Sequence, residues 1–549
     1  MTEFRDLRGL LSILEKRGKV YHYRDPINKE TELIPFYRIQ MRGLPEEERK
    51  VFVFDNVVGA AGNKYDLSVL AGIYGASDEI LAMGMGCDSY VGMLERWHHA
   101  LEHPIPPVVV DDGPVHEVVH TGDWIREVGL DALPVPVEDP GFSGMIRTGL
   151  PMFTKDPHTG IRNVGTYNAF FRARDRIAAG IAPNKHAIYY HLNGARNDDA
   201  EGMPLAIVIG ANPDVMLVGS ARIPYGEDEL AIAGGISGAP VELVRCRTIP
   251  LEVPSTAEIV IEGRLSTEMV EPRGAFGEYP GHLNVDRTPC PVMTVTAITH
   301  RRGGMFTPVP VGFPPSDCNA VFGFCYSGQV YHHLKYELRL PVEEVYFPQL
   351  GGGSNFCAIR VSDGANQDQT WTMLQEAAAV SDAKYLIAVD FDVNLHDSEL
   401  LVWAMSFRTQ PDADVRIIPG GMRKFDPSAT HRSGRLDPSA APIAPGGALG
   451  PGARKEFFLT LINATRKYPY PPVALPRKDY MERAHELWKA QEVLPTPRLQ
   501  EPWHGYFLGY WNDDLQDDAD LTLRGEYSKV GDKTKRDQQQ VWTRKSDGS

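Results

Sequence analysis

The segment EPRGAFGEYPGH, residues 271–282, holds a carboxylate in a setting suited to acid–base chemistry. Two glycines bracket an Ala-Phe pair, and Glu278 follows directly. Glycine permits close approach of the backbone to a ligand. A carboxylate that aromatic neighbours desolvate has a raised pKa and can act as a general acid. A solvated loop glutamate is the alternative that the sequence leaves open.

Three side chains in or beside a β-rich stretch form a candidate ligand set for a hard metal ion: Asn163 in NVGTY, His191 in YYHLNGA and Glu229 in EDELAIAG. An amide oxygen, an imidazole and a carboxylate suit Mn²⁺, Mg²⁺ or Fe²⁺ rather than structural zinc. Spacing alone does not select this set, and on the residues alone a turn asparagine, a core histidine and a surface glutamate is the better interpretation. The pairs His98-His99 and His332-His333 lack a completed metal-binding spacing.

The composition is that of an ordinary globular chain, with 549 residues, 42% apolar and 23% charged. This length suggests roughly three to four domains. The net charge of −16 argues against a nucleic-acid scaffold or a protein that binds anionic membranes as a whole. Neither a transmembrane helix nor a signal peptide is expected. Six scattered cysteines without a C-x-x-C pair fit reduced thiols in a cytoplasmic protein.

The hydrophobic pattern predicts the elements that must position these residues. Phe4, Leu7, Leu10, Leu11 and Leu14 lie at helical spacing and predict an N-terminal amphipathic helix. Short strands separated by turn residues, between 145 and 310, indicate a β-barrel or sandwich. Alternating strand and helix patterns after the glycines at 351–353 are typical of an α/β domain. The tail after about residue 500 is expected to be an extended arm.

Several motifs together resemble the UbiD family, the prenylated-FMN-dependent (de)carboxylases. NVGTY, PLAIVIGANP, DELAIAGG, VPSTAEIVIEG and GAFGEYPGHLN follow in the family's order. The stretch VDFDVNLHDSELLVWAMSFRTQPDAD is close to a specific C-terminal family motif, and NATRKYPYPP resembles a phosphate-binding segment. The resemblance is collinear over residues 5–475 and leaves only the tail outside it.

The resemblance implies an α/β (α+β) multidomain fold. We expect an N-terminal α/β segment at 1–115 and a split β-barrel domain that binds prenylated FMN at 116–325. A C-terminal α/β oligomerisation domain is expected at 326–500, followed by a C-terminal arm at 501–549. A homo-oligomer, dimer or hexamer, is implied by the same resemblance.

The resemblance also assigns roles to individual positions. It makes Asn163, His191 and Glu229 the ligands of a divalent metal, Mn²⁺ or Fe²⁺, that bridges to the flavin phosphate. Lys467 matches the lysine that reaches this phosphate. The main chain of this family also contacts the flavin and a K⁺ ion, and the matching positions here are Gly219, Ser220 and Ala221. A flavin prenyltransferase is implied as the supplier of the cofactor.

The sequence departs from the family at two active-site positions. The family usually has a Glu–Arg–Glu network in its active site. In this sequence Asn168 stands where the family has the arginine, and Arg273 stands where it has the first glutamate, so only the second glutamate, Glu278, is retained. Either the site has degraded or it is rewired for a different substrate. The retained acid and metal positions favour rewiring, with Arg273 able to grip a substrate carboxylate or carbonyl.

The function implied is reversible non-oxidative decarboxylation of an aromatic acid through a covalent prenylated-FMN adduct, with Glu278 as the proton donor. The altered pair favours an aromatic dicarboxylate CoA thioester such as phthaloyl-CoA. Arg172, Arg174 and Arg176, on one face of a predicted strand, are candidates for its phosphates, with a solvated strand face as the alternative. Two alternatives stay open: decarboxylation or carboxylation of a free aromatic or α,β-unsaturated acid, and a non-catalytic role as the flavin-binding subunit of a carboxylase complex.

Overall fold

The computed structural model describes residues 3–142, 146–181, 202–284, 289–421, 426, 457–491, 493–494 and 511–541. Within them the α-helices are Leu7–Lys16 (α1), Leu33–Gly43 (α2), Asp78–Gly84 (α3), Tyr90–Glu102 (α4), Asp123–Glu127 (α5), Pro213–Ser220 (α6), Glu229–Ser237 (α7), Asp317–His332 (α8), Gln367–Val380 (α9), Ser398–Phe407 (α10), Pro411–Asp414 (α11), Lys478–Lys489 (α12), Asp513–Leu523 (α13) and Tyr527–Val541 (α14). A π-helical turn, His333–Glu337, follows α8 directly.

The β-strands of the same residues are Val20–Tyr23 (β1), Ile27–Asn28 (β2), Val51–Phe54 (β3), Val57–Val58 (β4), Ser68–Ala71 (β5), Val108–Val109 (β6), Val118–Thr121 (β7), Ile146–Lys155 (β8), Arg162–Ala173 (β9), Arg176–Gly180 (β10), Met203–Ile209 (β11), Glu242–Arg245 (β12), Glu252–Pro254 (β13), Ile259–Pro272 (β14), Phe276–Gly277 (β15), Leu283–Asn284 (β16), Pro289–His300 (β17), Met305–Phe306 (β18), Val342–Tyr346 (β19), Phe356–Val361 (β20), Tyr385–Val389 (β21), Val415–Gly420 (β22) and Phe457–Ala464 (β23).

A closed antiparallel barrel occupies the middle of the chain. Its strands are ordered β10-β9-β8-β11-β14-β17, and β17 closes the barrel by pairing with β10. Successive residues on a strand point to opposite faces, so alternate side chains fill the interior. The buried interior side chains include Leu150, Tyr167, Ile177, Ile207 and Ile261. The predicted barrel and the mixed α/β class are both confirmed.

Two further sheets flank the barrel along the chain, although the last strand of the N-terminal sheet, β18, follows the barrel. The N-terminal sheet has the order β1-β3-β5-β18, and α1 precedes it with Leu7, Leu10, Leu11 and Leu14 buried. The predicted N-terminal helix is therefore confirmed. The C-terminal sheet has the order β19-β20-β21-β23-β22, with α9 connecting β20 to β21. This alternation of strand and helix is the predicted α/β arrangement.

The chain divides into two compact units, one comprising residues 1–388 and 411–463 and the other residues 389–410 and 464–549. The domain boundaries expected from the sequence stay a prediction. Among the described residues, none of the helices combines the length and apolar character that crossing a membrane requires.

The described part of the tail forms the helices α13 and α14, and its expected role as a C-terminal arm stays a prediction. The Asn512 side chain accepts a hydrogen bond from the Leu515 N–H and caps α13. Aspartates at 513 and 514 lie in the first turn, where negative charge interacts favourably with the helix dipole. Lys533 of α14 forms an ion pair with Asp518 of α13 at 3.0 Å. The acidic run therefore begins a helix.

Helix α2 supports the segment at 313–316 that precedes α8. Arg38 donates to the Phe313 carbonyl at 3.2 Å and lies 3.5 Å from the Asp139 carboxylate. Arg42 donates to the Pro314 carbonyl at 3.0 Å. These contacts matter for the site because a Cβ at Gly281 would lie 2.8 Å from Pro314. The Glu278 turn thus packs closely against a segment that α2 anchors.

A buried carboxylate at the start of α8 makes stability depend on pH. Asp317 is fully buried, and it accepts a hydrogen bond from the Tyr37 hydroxyl at 2.6 Å. Burial raises the pKa of Asp317 from 3.8 to about 7. The folded protein then keeps a proton that the unfolded chain releases, so this group lowers the free energy of unfolding as pH rises from about 4 to about 7.

We predict that Asp317→Asn removes this decline. The difference in melting temperature between the variant and the parent should increase in favour of the variant as pH rises from about 4 to about 7. Above pH 7 this difference should stay nearly constant. Thermal unfolding across this pH range measures the effect. Tyr37→Phe is the matched control, because losing its hydrogen bond to the carboxylate should extend the decline to higher pH. Parallel curves for the parent and Asp317→Asn would contradict the prediction.

Candidate functional site

The inner face of β9 carries the first candidate ligand. Asn163, Gly165 and Tyr167 share this face because they alternate along the strand. The Tyr167 hydroxyl folds back to the Asn163 side chain. A Cβ at Gly165 would lie 2.4 Å from the Tyr167 hydroxyl oxygen, so only glycine leaves room for this ring. Burial, together with the charge of Glu229, raises the pKa of Tyr167 to about 12.

Glu229 is the first residue of α7, and β9 holds the start of that helix. Asp228 caps the helix by accepting a hydrogen bond from the Leu230 N–H, and Arg162 of β9 forms an ion pair with Asp228 at 2.8 Å. The Glu229 carboxylate accepts a hydrogen bond from the backbone of Val164. Glu229 is therefore held at the start of β9, where its charge acts on Tyr167.

The Glu229 carboxylate lacks a full set of partners. It is 4% exposed, and its Oε2 atom has no hydrogen-bond partner among the described residues. Burial raises its pKa from 4.5 to about 7. A buried carboxylate is costly unless a cation or hydrogen bonds compensate it. An orphaned oxygen beside an amide fits the ligand position of a hard divalent cation. His191, the third expected ligand, lies outside the described residues.

The C-terminal end of α6 lies against the outer face of β9. The hydroxyls of Ser220 and Thr166 are 3.0 Å apart. A Cβ at Gly219 would lie 3.3 Å from Val164, so the helix end and the strand are in close contact. Ala221 follows as the residue that ends the helix, with its N–H bonded to α6. All three positions expected to contact a flavin are thus held next to β9.

The same outer face also leads to the candidate acid. Asn168 lies on it, two residues from Thr166 and two from Phe170. Phe170 packs edge-to-face on Phe276, with ring centroids 5.2 Å apart. Phe276 precedes Glu278 by two residues. One strand face therefore connects the α6 end, Asn168 and the Glu278 turn.

Hydrogen bonds define the turn that carries Glu278. The Gly277 N–H donates to the Asp139 carboxylate at 2.8 Å, and a Cβ at Gly277 would lie 2.4 Å from the same oxygen. The Asn284 amide donates to Glu278 Oε1 at 3.1 Å. The Glu278 N–H donates to the His282 carbonyl at 3.0 Å. The acid is half-buried and held in one orientation by groups on both sides.

The arginines proposed for a CoA handle are already engaged in ion pairs. Arg172 and Arg176 lie 3.3 Å and 3.2 Å from the two oxygens of Glu271. Arg174 pairs with Asp131 at 2.8 Å. The expectation that they share one strand face is wrong, because Arg172 is on β9 and Arg176 begins β10, with the hairpin turn between them.

Lys467 belongs to the second unit, in which its ammonium donates to the carbonyls of Arg408 and Thr465 at 2.8 Å and 3.0 Å. In the same unit Asp392 binds the Arg408 guanidinium through both oxygens, each at 2.8 Å, and Asp390 binds it at 3.0 Å. The two aspartates thus have a structural role. The expected contact of Lys467 with a phosphate stays a prediction.

The sequence did not identify four residues that complete this arrangement. Tyr167 had a usable signal, since strand alternation places it on the same face as Asn163. The sequence carried no such signal for the other three, Arg162, Asp139 and Asn284. Arg162 pairs with a residue 66 positions away in the chain, and Asp139 bonds to one 138 positions away. These long-range contacts depend on the tertiary fold.

Two family models match the chain. The UbiD model, described as the 3-octaprenyl-4-hydroxybenzoate carboxy-lyase Rift-related domain, matches residues 108–314. The UbiD_C model, the C-terminal domain of the same carboxy-lyase, matches residues 321–447. Together the matched ranges cover more than half of the 549 residues.

Solved structures of similar fold include the UbiD-class enzyme HmfF from Pelotomaculum thermopropionicum in complex with FMN. It is 26% identical, with a TM-score of 0.73 over 87% of this chain and 99% of that one. The apo 3,4-dihydroxybenzoic acid decarboxylase AroY from Klebsiella pneumoniae is 22% identical, with a TM-score of 0.74 over 88% and 99%, and it supports the fold alone. The chain belongs to the UbiD family and is an enzyme of its carboxy-lyase class.

Proposed function

We propose that this enzyme catalyses reversible, non-oxidative decarboxylation of an aromatic acid with prenylated FMN, and that Glu278 is its proton donor. The observation that carries this proposal is the Glu229 carboxylate, which is buried, incompletely bonded and close to Asn163. Asn163 lies on β9, the strand that also packs against the Glu278 turn. The similar HmfF structures hold FMN or prenylated FMN, which supports a flavin at the corresponding place.

Several residues would hold the cofactor. Asn163, Glu229 and His191 would bind a divalent cation, Mn²⁺ or Fe²⁺, that neutralises the flavin phosphate. Lys467 would contact the same phosphate, and the main chain at 219–221 would contact the flavin and a K⁺ ion. The prenylated flavin, when bound, supplies the electron sink for the loss of CO₂. A flavin prenyltransferase would make this cofactor, and we expect the enzyme to be a homo-oligomer.

The chain's own residues supply orientation and a proton. Protonated Glu278 would donate its carboxyl proton to the substrate carbon that has lost CO₂. Asn284 fixes one oxygen of Glu278, and Asp139 fixes the preceding peptide, so the acid is oriented before substrate binds. In the direction of carboxylation the Glu278 carboxylate would remove the same proton.

We further propose that the substrate is an aromatic dicarboxylate CoA thioester such as phthaloyl-CoA. The support is the relocated positive charge: Asn168 is neutral where the family has an arginine, and Arg273 follows the end of β14. Arg273 would bind a substrate carboxylate or carbonyl. A free aromatic acid is the second candidate. The ion pairs of Arg172 and Arg176 with Glu271 favour it, because they compete with binding of CoA phosphates.

We predict that Glu278→Gln lowers turnover by at least about two orders of magnitude while the bound flavin is retained, because only proton transfer is removed. Enzyme co-expressed with a flavin prenyltransferase is assayed anaerobically for CO₂ release, and flavin content is read by absorbance and mass spectrometry. Asn284→Ala is the companion variant and should reduce turnover less. Undiminished turnover in Glu278→Gln would exclude Glu278 as the donor.

A substrate panel separates the two candidate substrates. It contains phthaloyl-CoA, isophthaloyl-CoA, phthalate, benzoate, cinnamate and dihydroxybenzoate. Turnover of a thioester alone would support the first candidate, and turnover of a free acid would support the second. On the substrate that reacts, Arg273→Ala should raise KM about tenfold or more without loss of flavin. Equal loss of flavin and of substrate affinity would contradict the role of Arg273 in binding substrate.

We predict opposite effects of Glu229→Gln in metal-free and metal-loaded protein. Without metal, ionised Glu229 lowers stability as pH rises from about 4.5 to about 7, so the variant should be the more stable protein at about pH 8, by up to a few kcal/mol. With Mn²⁺, only the parent should gain stability. Thermal unfolding with and without Mn²⁺ measures both effects. Glu227→Gln, at an exposed position, should behave like the parent; a Mn²⁺ response in Glu229→Gln equal to that of the parent would refute the ligand role.

A further inference from the structure

Helices α4 and α8 bring three metal-ligating side chains together outside the site described above. His98 and Glu102 lie one turn apart on α4, and His332 is the last residue of α8. One ligand atom from each lies within 4.8 Å of the other two. The two histidines are separated by 234 positions of sequence, so spacing along the chain gives no sign of this cluster.

The distance between the imidazoles is close to what a metal requires. The Nδ1 atoms of His98 and His332 are 3.0 Å apart. Two nitrogens bound to one tetrahedral Zn²⁺ at about 2.0–2.1 Å lie about 3.3 Å from each other. The pair therefore needs to open by only a few tenths of an ångström. Without metal, one ring N–H donates to the other ring, and a bound cation would replace that proton.

The groups behind the two imidazoles resemble the supporting shell of a metal site. Glu337 Oε1 lies 3.4 Å from His332 Nε2, the ring nitrogen that does not contact His98. A carboxylate in this position orients a metal-bound histidine and fixes its tautomer. The His98 ring stacks on Tyr336, with centroids 3.3 Å apart and planes 6° from parallel. The Tyr336 hydroxyl in turn bonds to Glu95 of α4.

The backbone between these residues is unusual. Residues His333–Glu337 form a π-helical turn directly after His332. Such turns are rare and occur often at functional sites. Here the turn carries both Tyr336 and Glu337, the residues that contact His98 and His332. The irregular backbone and the clustered ligands therefore coincide.

We propose that His98, Glu102 and His332 form a second metal site, which binds Zn²⁺ with water as the fourth ligand and links α4 to α8. Two imidazoles and one carboxylate suit Zn²⁺ and its neighbours Co²⁺ and Ni²⁺, whereas Mg²⁺ and Mn²⁺ prefer oxygen ligands. This set differs in chemistry from the Asn163 and Glu229 pair. The site does not depend on the function proposed above.

The test titrates Zn²⁺ and Co²⁺ into full-length protein that has been treated with a chelator, with a colorimetric indicator competing for Zn²⁺. The titrations use the parent and Glu229→Gln, which removes the carboxylate of the other candidate site. We expect one Zn²⁺ to bind tightly to both proteins, and Co²⁺ to give the visible absorption bands of a four-coordinate ion. Loss of Zn²⁺ binding in Glu229→Gln would overturn the proposal.

Substitutions in the cluster complete the test. His98→Gln and His332→Gln should weaken Zn²⁺ binding at least about tenfold, as should Glu102→Gln, whose exposed side chain can change without disturbing the core. His99→Gln, on the same helix but outside the cluster, is the matched control and should bind like the parent. Zn²⁺ should raise the melting temperature of the parent, of Glu229→Gln and of His99→Gln, but not of the three variants in the cluster. Equal affinity of Glu102→Gln and His99→Gln would overturn the assignment.

Discussion

The buried carboxylate of Glu229 is the constraint on which the candidate site depends. One of its oxygens has no partner among the described residues, and burial moves its pKa to about 7. Near neutral pH the folded chain must either protonate this group or bring a cation to it. Asn163 provides an amide at the same place, and the ion pair of Arg162 with Asp228 fixes the helix that carries Glu229. The surrounding contacts therefore hold the carboxylate ready for a positive charge.

Strand β9 connects the cation position to the acid because its two faces serve different partners. The inner face carries Asn163 and Tyr167, while the outer face contacts the α6 end and, through Phe170, the Glu278 turn. A strand in a closed barrel is bonded on both sides over most of its length, so it deforms little. A cofactor bound at one end of β9 would thus meet an acid whose position is set by the same strand.

The sequence predicted the elements better than the contacts. Leucine spacing identified α1, and the short strands separated by turn residues between 145 and 310 indicated the barrel that contains β9. The metal ligands were chosen only by resemblance, since an isolated asparagine or glutamate has many ordinary roles. The bond from Gly277 to Asp139 joins residues 138 positions apart, which local patterns cannot reveal. The two helices of the tail were not predicted, although aspartates favour the first turn of a helix.

The residues around the altered Glu–Arg pair indicate whether the site still has a function. A site that only stabilised the fold would gain nothing from a carboxylate that lacks a partner, because an apolar side chain would pack there at lower cost. Gly165 likewise makes room for the Tyr167 ring beside Asn163, although glycine weakens a strand interior. Proteins tolerate such costs chiefly at functional sites. Asn168 and Arg273 therefore stand in a site whose energetically costly parts are intact, and this favours a changed substrate over lost catalysis.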